Sequence, residues 1–168
     1  MTNEFQKSIK KFIPTNFKIP EVLETDRFRL RMLTVNDVKL DYDAVMTSIE
    51  HLHKTRPFGP RRKYPPEDLT LEENRMAIEL YEKKFLNRET FTFTAMNLDE
   101  TKCLGCLYIY PSHNPNYDVL IMMWVRQSEF DNGLDEILFS SVKKWIRDKW
   151  PFKEVAYSGR DVSWDEFE

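Results

Sequence analysis

The chain has 168 residues, a length that suits one domain with one well-buried core. Its residues are 41% hydrophobic and 14% aromatic against only 4 glycines, ample material for that core and little for flexible linkers. A formal net charge of -3, two cysteines, no apolar run of membrane-spanning length and no secretory leader lead us to expect a cytoplasmic protein that engages neither nucleic acid nor membrane.

In residues 1–20, Lys7, Lys10, Lys11 and Lys18 mix with Phe5, Phe12, Ile13, Phe17 and Ile19, and Pro14 and Pro20 interrupt. This predicts a short helix and an extended arm ahead of a single domain over 21–168. RFRLRML, from Arg27, alternates as a strand with one wet side. Thr34 with Asp37 suggests a capping box, and Val35, Val38, Tyr42, Val45, Met46 and Ile49 predict one helix to about His51. The Pro-rich basic stretch KTRPFGPRRKYPPEDL reads as a surface loop. Thr70 and Glu73 form a second capping box, and Met76, Leu80, Tyr81 and Phe85 are the expected buried stripe of the next helix.

TFTFTAM and CLGCLYIYP, separated by NLDETK, predict a hairpin, and YDVLIMMWV a strand covered on both faces. VRQSEFDNGLDEIL then opens a helix whose Leu134, Ile137, Leu138, Val142, Trp145 and Ile146 share a face and which Pro151 stops. KEVAYSG is the final strand and RDVSWDEFE an acidic tail. The order β, α, α, β, β, β, α, β gives an α/β fold whose last strand–helix–strand passage is a right-handed parallel crossover.

On the stretches LETDRFRLRMLTVNDV, TFTFTAMNLDETKCLGCLYIYP and VRQSEFDNGLDEIL, the chain resembles the GNAT superfamily of acyl coenzyme A dependent N-acetyltransferases, in its ribosomal-protein and small-molecule branches. The resemblance covers roughly residues 21 to 159. It implies a mixed, mostly antiparallel central sheet flanked by helices, acetyl-CoA as co-substrate, and transfer of an acetyl group to a small-molecule or peptide amine. It also implies that Trp124, Val125 and Arg126 align the pantetheine arm while Asn132, Gly133 and Leu134 face the pyrophosphate, where free amides and a helix N-terminus favour an anion. In the family's loop pattern of Arg or Gln, two residues, Gly, one residue, Gly or Ala, this chain has Phe130, Gly133 and Asp135. The acids Glu129, Asp131, Asp135 and Glu136 are also explained without a ligand, Asp131 as an N-cap and Asp135 and Glu136 as partners of the first-turn dipole. The family's C-terminal helix and closing strands are missing, which leaves the last strand as an edge for the arm, the tail or a second copy of the chain to cover. The alternative reading is a non-catalytic relative whose cleft serves ligand binding or subunit association.

Direct acetyl transfer needs a general base and a donor for the departing thiolate. Asp118, Tyr108 and Tyr110 are the candidates, each also explained as a turn residue or a half-buried sheet residue. Cys103 and Cys106, three apart in a strand, are expected on opposite faces, and no metal site is expected from them with His51 and His53. Gly105 between them predicts a bulge or a close backbone approach. Lys54, Arg56, Arg61, Arg62 and Lys63 stand where the family binds its acceptor, and suit an anionic acceptor, an acidic surface or plain solvation.

Overall fold

A computed structural model describes residues 12–168; the helix expected at the very N-terminus falls on residues 1–11 and lies outside them. Six strands form one sheet in sequence order: β1 (Val22–Glu24), β2 (Arg29–Met32), β3 (Phe91–Met96), β4 (Cys103–Pro111), β5 (Val119–Val125) and β6 (Val155–Tyr157). Neighbours are antiparallel except β5 and β6, which are parallel and joined through a helix, as the crossover expectation has it. β3 and β5 are buried at every residue because both sheet faces are covered.

One face carries α5 (Leu134–Lys149), whose Leu134, Leu138, Val142, Trp145 and Ile146 form the buried stripe. Residues of the 12–20 segment join this layer: Ile13 is buried, Phe12 stacks on Phe91 and Phe152, and Phe17 packs on Trp150. The other face carries α1 (Val38–Met46), α2 (Ile49–Thr55), α3 (Leu71–Leu86) and the terminal turn α6 (Trp164–Phe167), around a second core of Leu33, Val45, Leu52, Ile78, Tyr108, Trp124 and Phe167. Both capping boxes form, Thr34 with Asp37 and Thr70 with Glu73. Asp37 is further clamped by Arg31 at 2.8 and 2.9 Å. The charged side of β2 is thus an ion-pair layer, Arg31 also reaching Glu100 at 2.6 Å.

Several expectations are corrected. The first helix is interrupted at Thr47 and Ser48: Arg126 donates to Asp43 and to Thr47 Oγ1, and the Gln127 amide to Ser48 Oγ, so a contact from a distant loop ends α1 and starts α2. On α3 the inward face is Asn74, Ile78, Tyr81 and Phe85, while Met76 and Leu80 are exposed. Asp131 does not cap α5; it ends a five-residue helix α4 (Gln127–Asp131), and Gly133 is the N-cap. β1 is an additional strand, and the acidic tail holds α6, capped by Ser163 and anchored by the fully buried Phe167. Cys103 and Cys106 do not point apart. Ala95 pairs with Gly105 and Met96 with Cys103, so Leu104 is an extra residue, and this bulge turns both thiols into the α1–α3 core.

Candidate functional site

β5 and β6 pair only from Val119 with Val155 to Ile121 with Tyr157, and diverge beyond. There a cleft of about 270 Å³ opens between the end of β5, α2 and the start of α5; its lining includes His51, Trp124, Val125, Phe130, Asp135 and Arg160. The amides of Glu129, Phe130, Asn132 and Gly133 are all bonded within the local turns, to carbonyls of Arg126, Glu129 and Phe130. What remains is the first turn of α5, whose N–H groups have no acceptor inside the helix. Gly133 precedes them at φ 81°, a conformation L-residues avoid, and the space where its Cβ would stand is open.

Asp135 faces this cleft. Its carboxylate is held bidentately by Arg160 at 2.8 and 2.9 Å, and Arg160 also donates to the Met123 carbonyl at 3.3 Å. Acid and base, each about one-fifth exposed, form a neutral pair across the cleft. His51 bonds the Val125 backbone and lies 4.6 Å from the Phe130 ring; burial lowers its pKa, so the ring is neutral at pH 7. Two carbonyls on the free edge of β5 therefore have side-chain donors, Arg160 and His51.

Of the residues singled out in the sequence, Trp124 and Val125 line the cleft, and Gly133 is the N-cap of α5, two residues before the cleft-lining Asp135. Leu134, the first residue of α5, turns its side chain into the core, and Asn132 is the exposed C-cap of α4. Arg126 is elsewhere: buried, it donates to the Cys103 carbonyl and to Asp43 and pins the α1–α2 break. Asp118 is at the opposite end of β5, roughly 20 Å away by strand rise, where its carboxylate accepts from the amides of Lys153 and Glu154. Such a clamp does not reach the cleft, which removes Asp118 as a base for chemistry there. Tyr108 and Tyr110 share a face of β4 as expected; Tyr108 is buried, and its hydroxyl accepts from Trp124 Nε1 at 3.0 Å. Burial holds both phenols well above their ordinary pKa, so both stay protonated.

A second cavity, also about 270 Å³, lies behind that hydrogen bond. Tyr64, Tyr81 and Tyr108 wall it, and Asp41 reaches it from α1. Asp41 is buried and accepts from Asn74 Nδ2 at 2.9 Å and from the Cys106 thiol at 3.3 Å; desolvation pushes its pKa up. The Cys106 thiol is pushed up too, first by its hydrogen bond with Cys103 and then by burial. Ligand atoms of Asp41, Cys103 and Cys106 lie within 4.8 Å of one another, a grouping that could hold a metal ion and in which the Cys106 thiol donates to Asp41. The sequence does carry a trace of Asp41: an acid three residues after Val38 and four before Val45 sits in the apolar stripe of its helix. Arg160 left no comparable trace, because its partner is distant in the chain.

No family model matches the chain, and no curated protein matches it in sequence. Solved structures do match. A Vibrio cholerae protein assigned as a ribosomal-protein-serine acetyltransferase is 12% identical, with a TM-score of 0.64 over 80% of this chain and 71% of the other. The ribosomal-protein-S5-alanine acetyltransferase of Vibrio fischeri is 14% identical, with a TM-score of 0.58 over 76% and 67%. RimL, a ribosomal L7/L12 α-N-protein acetyltransferase solved with coenzyme A, is 13% identical, with a TM-score of 0.58 over 77% and 70%. At such identities the likeness is one of architecture, and on it the chain has the fold of the GNAT acetyltransferases.

Proposed function

We propose that the protein is an acyl-CoA-dependent N-acetyltransferase that uses the cleft between β5 and β6 for acetyl-CoA. The observation that carries this reading is the divergence of β5 and β6 over a cleft that Asp135, in the first turn of α5, lines, two residues after the left-handed N-cap Gly133. The donor set suits a diphosphate. An unpaired carboxylate about 5 Å from a phosphate would repel it by roughly 3 kcal/mol at an effective dielectric near 20, more than a hundredfold in affinity. Asp135 is not unpaired, however, and Arg160 cancels most of that repulsion. Arg56 and Arg160 line the cleft against the single carboxylate of Asp135, which leaves the wall net positive.

In this reading acetyl-CoA supplies an activated acetyl group. The chain's own residues hold its diphosphate at the α5 amides and shield the cleft with Phe130 and Trp164, while the Trp124–Tyr108 hydrogen bond fixes the floor. Tyr108 remains protonated, the state required of a donor to a departing thiolate, whereas Tyr110, opposite Leu120, stands toward the Asp118 end of the sheet and has no part in this reading.

One observation favours a second reading, a non-catalytic relative: Arg160 and His51 already serve the carbonyls of Met123 and Val125. Calorimetric titration of the full chain with acetyl-CoA separates the two. The enzyme reading predicts saturable binding in the micromolar range and a melting temperature that rises with ligand by mass action. Absence of heat and of any thermal shift at millimolar acetyl-CoA would leave the non-catalytic reading in its place.

A further inference from the structure

The second cavity has a polarity of its own. Its buried end holds Asp41, which no lysine or arginine pairs among the described residues. Burying a carboxylate without a cation is costly, and the protein meets the cost with two hydrogen bonds and a pKa shifted toward the neutral acid. An ammonium group arriving in the cavity would supply the missing charge. Around it stand the rings of Tyr64, Tyr81 and Tyr108, aromatic walls of the kind that receive a cation, and the Tyr64 hydroxyl has no hydrogen-bond partner among the described residues. The rim has the opposite sign. Arg62 and Lys63, both exposed, border the cavity, and the Arg62 guanidinium is held 4.8 Å from the centre of the Phe58 ring and 5.6 Å from that of Tyr64.

A negative floor under a positive rim selects a dipolar ligand with its cation inward. We propose that this cavity binds a small amine that carries an anionic group at its far end, in the manner of an ω-amino acid. The carboxylate of Asp41 takes the ammonium, and Arg62 with Lys63 take the anion. Tyr108 lines this cavity and Trp124 the acyl cleft, and the 3.0 Å hydrogen bond between them is the wall the two spaces share. As a statement of the acceptor class, the inference rests on the acetyltransferase reading; as a statement of binding, it does not.

The test is calorimetry on the full chain without acetyl-CoA. The probes are 4-aminobutyrate, 5-aminovalerate and 6-aminohexanoate, with pentylamine, valerate and 5-hydroxyvalerate as isosteres lacking one feature each. At least one amino acid of the series should bind, at least tenfold more tightly than pentylamine, with valerate and 5-hydroxyvalerate weaker still. Asp41→Asn should lose at least tenfold for amino acid and pentylamine alike. Arg62→Gln, an exposed change that spares the core, should erase the advantage of the amino acid over pentylamine and leave pentylamine unchanged. Binding of 5-hydroxyvalerate as tight as that of 5-aminovalerate, no binding by the whole series, or an unchanged preference in Arg62→Gln would overturn the proposal. Acetyl-CoA titrated separately keeps the outcomes apart, since an amine that binds a chain deaf to acetyl-CoA preserves the site while removing the enzyme.

Discussion

Single side chains decide what the cleft can hold, and Asp135 with Arg160 decides most. Removing the carboxylate while keeping its shape, as in Asp135→Asn, frees Arg160 for a phosphate; we expect acetyl-CoA to bind about tenfold more tightly, roughly 1.4 kcal/mol, by calorimetry. Arg160→Gln leaves Asp135 facing the ligand unpaired and should weaken binding by tenfold or more. Two other acids respond to pH in opposite senses. Burial raises the pKa of Asp41 above its unfolded value, so its contribution is complete below about pH 4 and is lost as pH rises through the folded value. Urea denaturation should therefore show the wild type losing stability relative to Asp41→Asn as pH rises from about 4 through the folded value. Asp37 is the reverse: burial pushes its pKa up, but the hydrogen bonds from Arg31 and Thr34 outweigh this and lower it. Its stabilisation is present above about pH 4 and fades as pH falls through the folded value, so Asp37→Ala should cost about 2–3 kcal/mol at pH 7 and progressively less in acid.

At the scale of elements, the bulge in β4 has the widest consequences. It brings Cys103 and Cys106 to one face beside Asp41, and it sets Gly105 so close to β5 that a Cβ there would collide with the Trp124 carbonyl oxygen. Gly105→Ala should lower stability by more than about 2 kcal/mol and shift the fluorescence of Trp124, because backbone cannot yield as a side-chain tip can. Gly105 was legible in the sequence as a bulge or close approach; the side on which the thiols emerge was not, since alternation counts residues and a bulge adds one unannounced. The same distinction runs through the helices. The capping boxes at Thr34 and Thr70 are local chemistry and were readable, whereas the break at Thr47 depends on Arg126 and the inward turn of α3 on Asn74 meeting Asp41. α6 escaped notice for want of length, although Phe167 is fully buried and Trp164 packs on Gly59 and Gly159. Phe167→Ala should cost about 3 kcal/mol or more in chemical denaturation.

For the whole molecule, a sheet covered on both faces places two cavities on one side of β4 and β5, with Trp124 and Tyr108 between them. The parallel last pair followed from the order of apolar segments, whereas the cleft beyond it was expected only from the family resemblance. Its electrostatics followed from neither, because Asp135 in isolation is a repulsive charge and only the folded chain supplies Arg160. In the proposed acetyltransferase this cleft receives acetyl-CoA beside Trp124. The decisive experiment is tryptophan fluorescence titrated with acetyl-CoA in the wild type and in Trp124→Phe. We predict a saturable change in the wild type that is clearly reduced, Trp164 also lining the cleft, in a Trp124→Phe variant still binding by calorimetry; an identical change in both, or none in either, would contradict it.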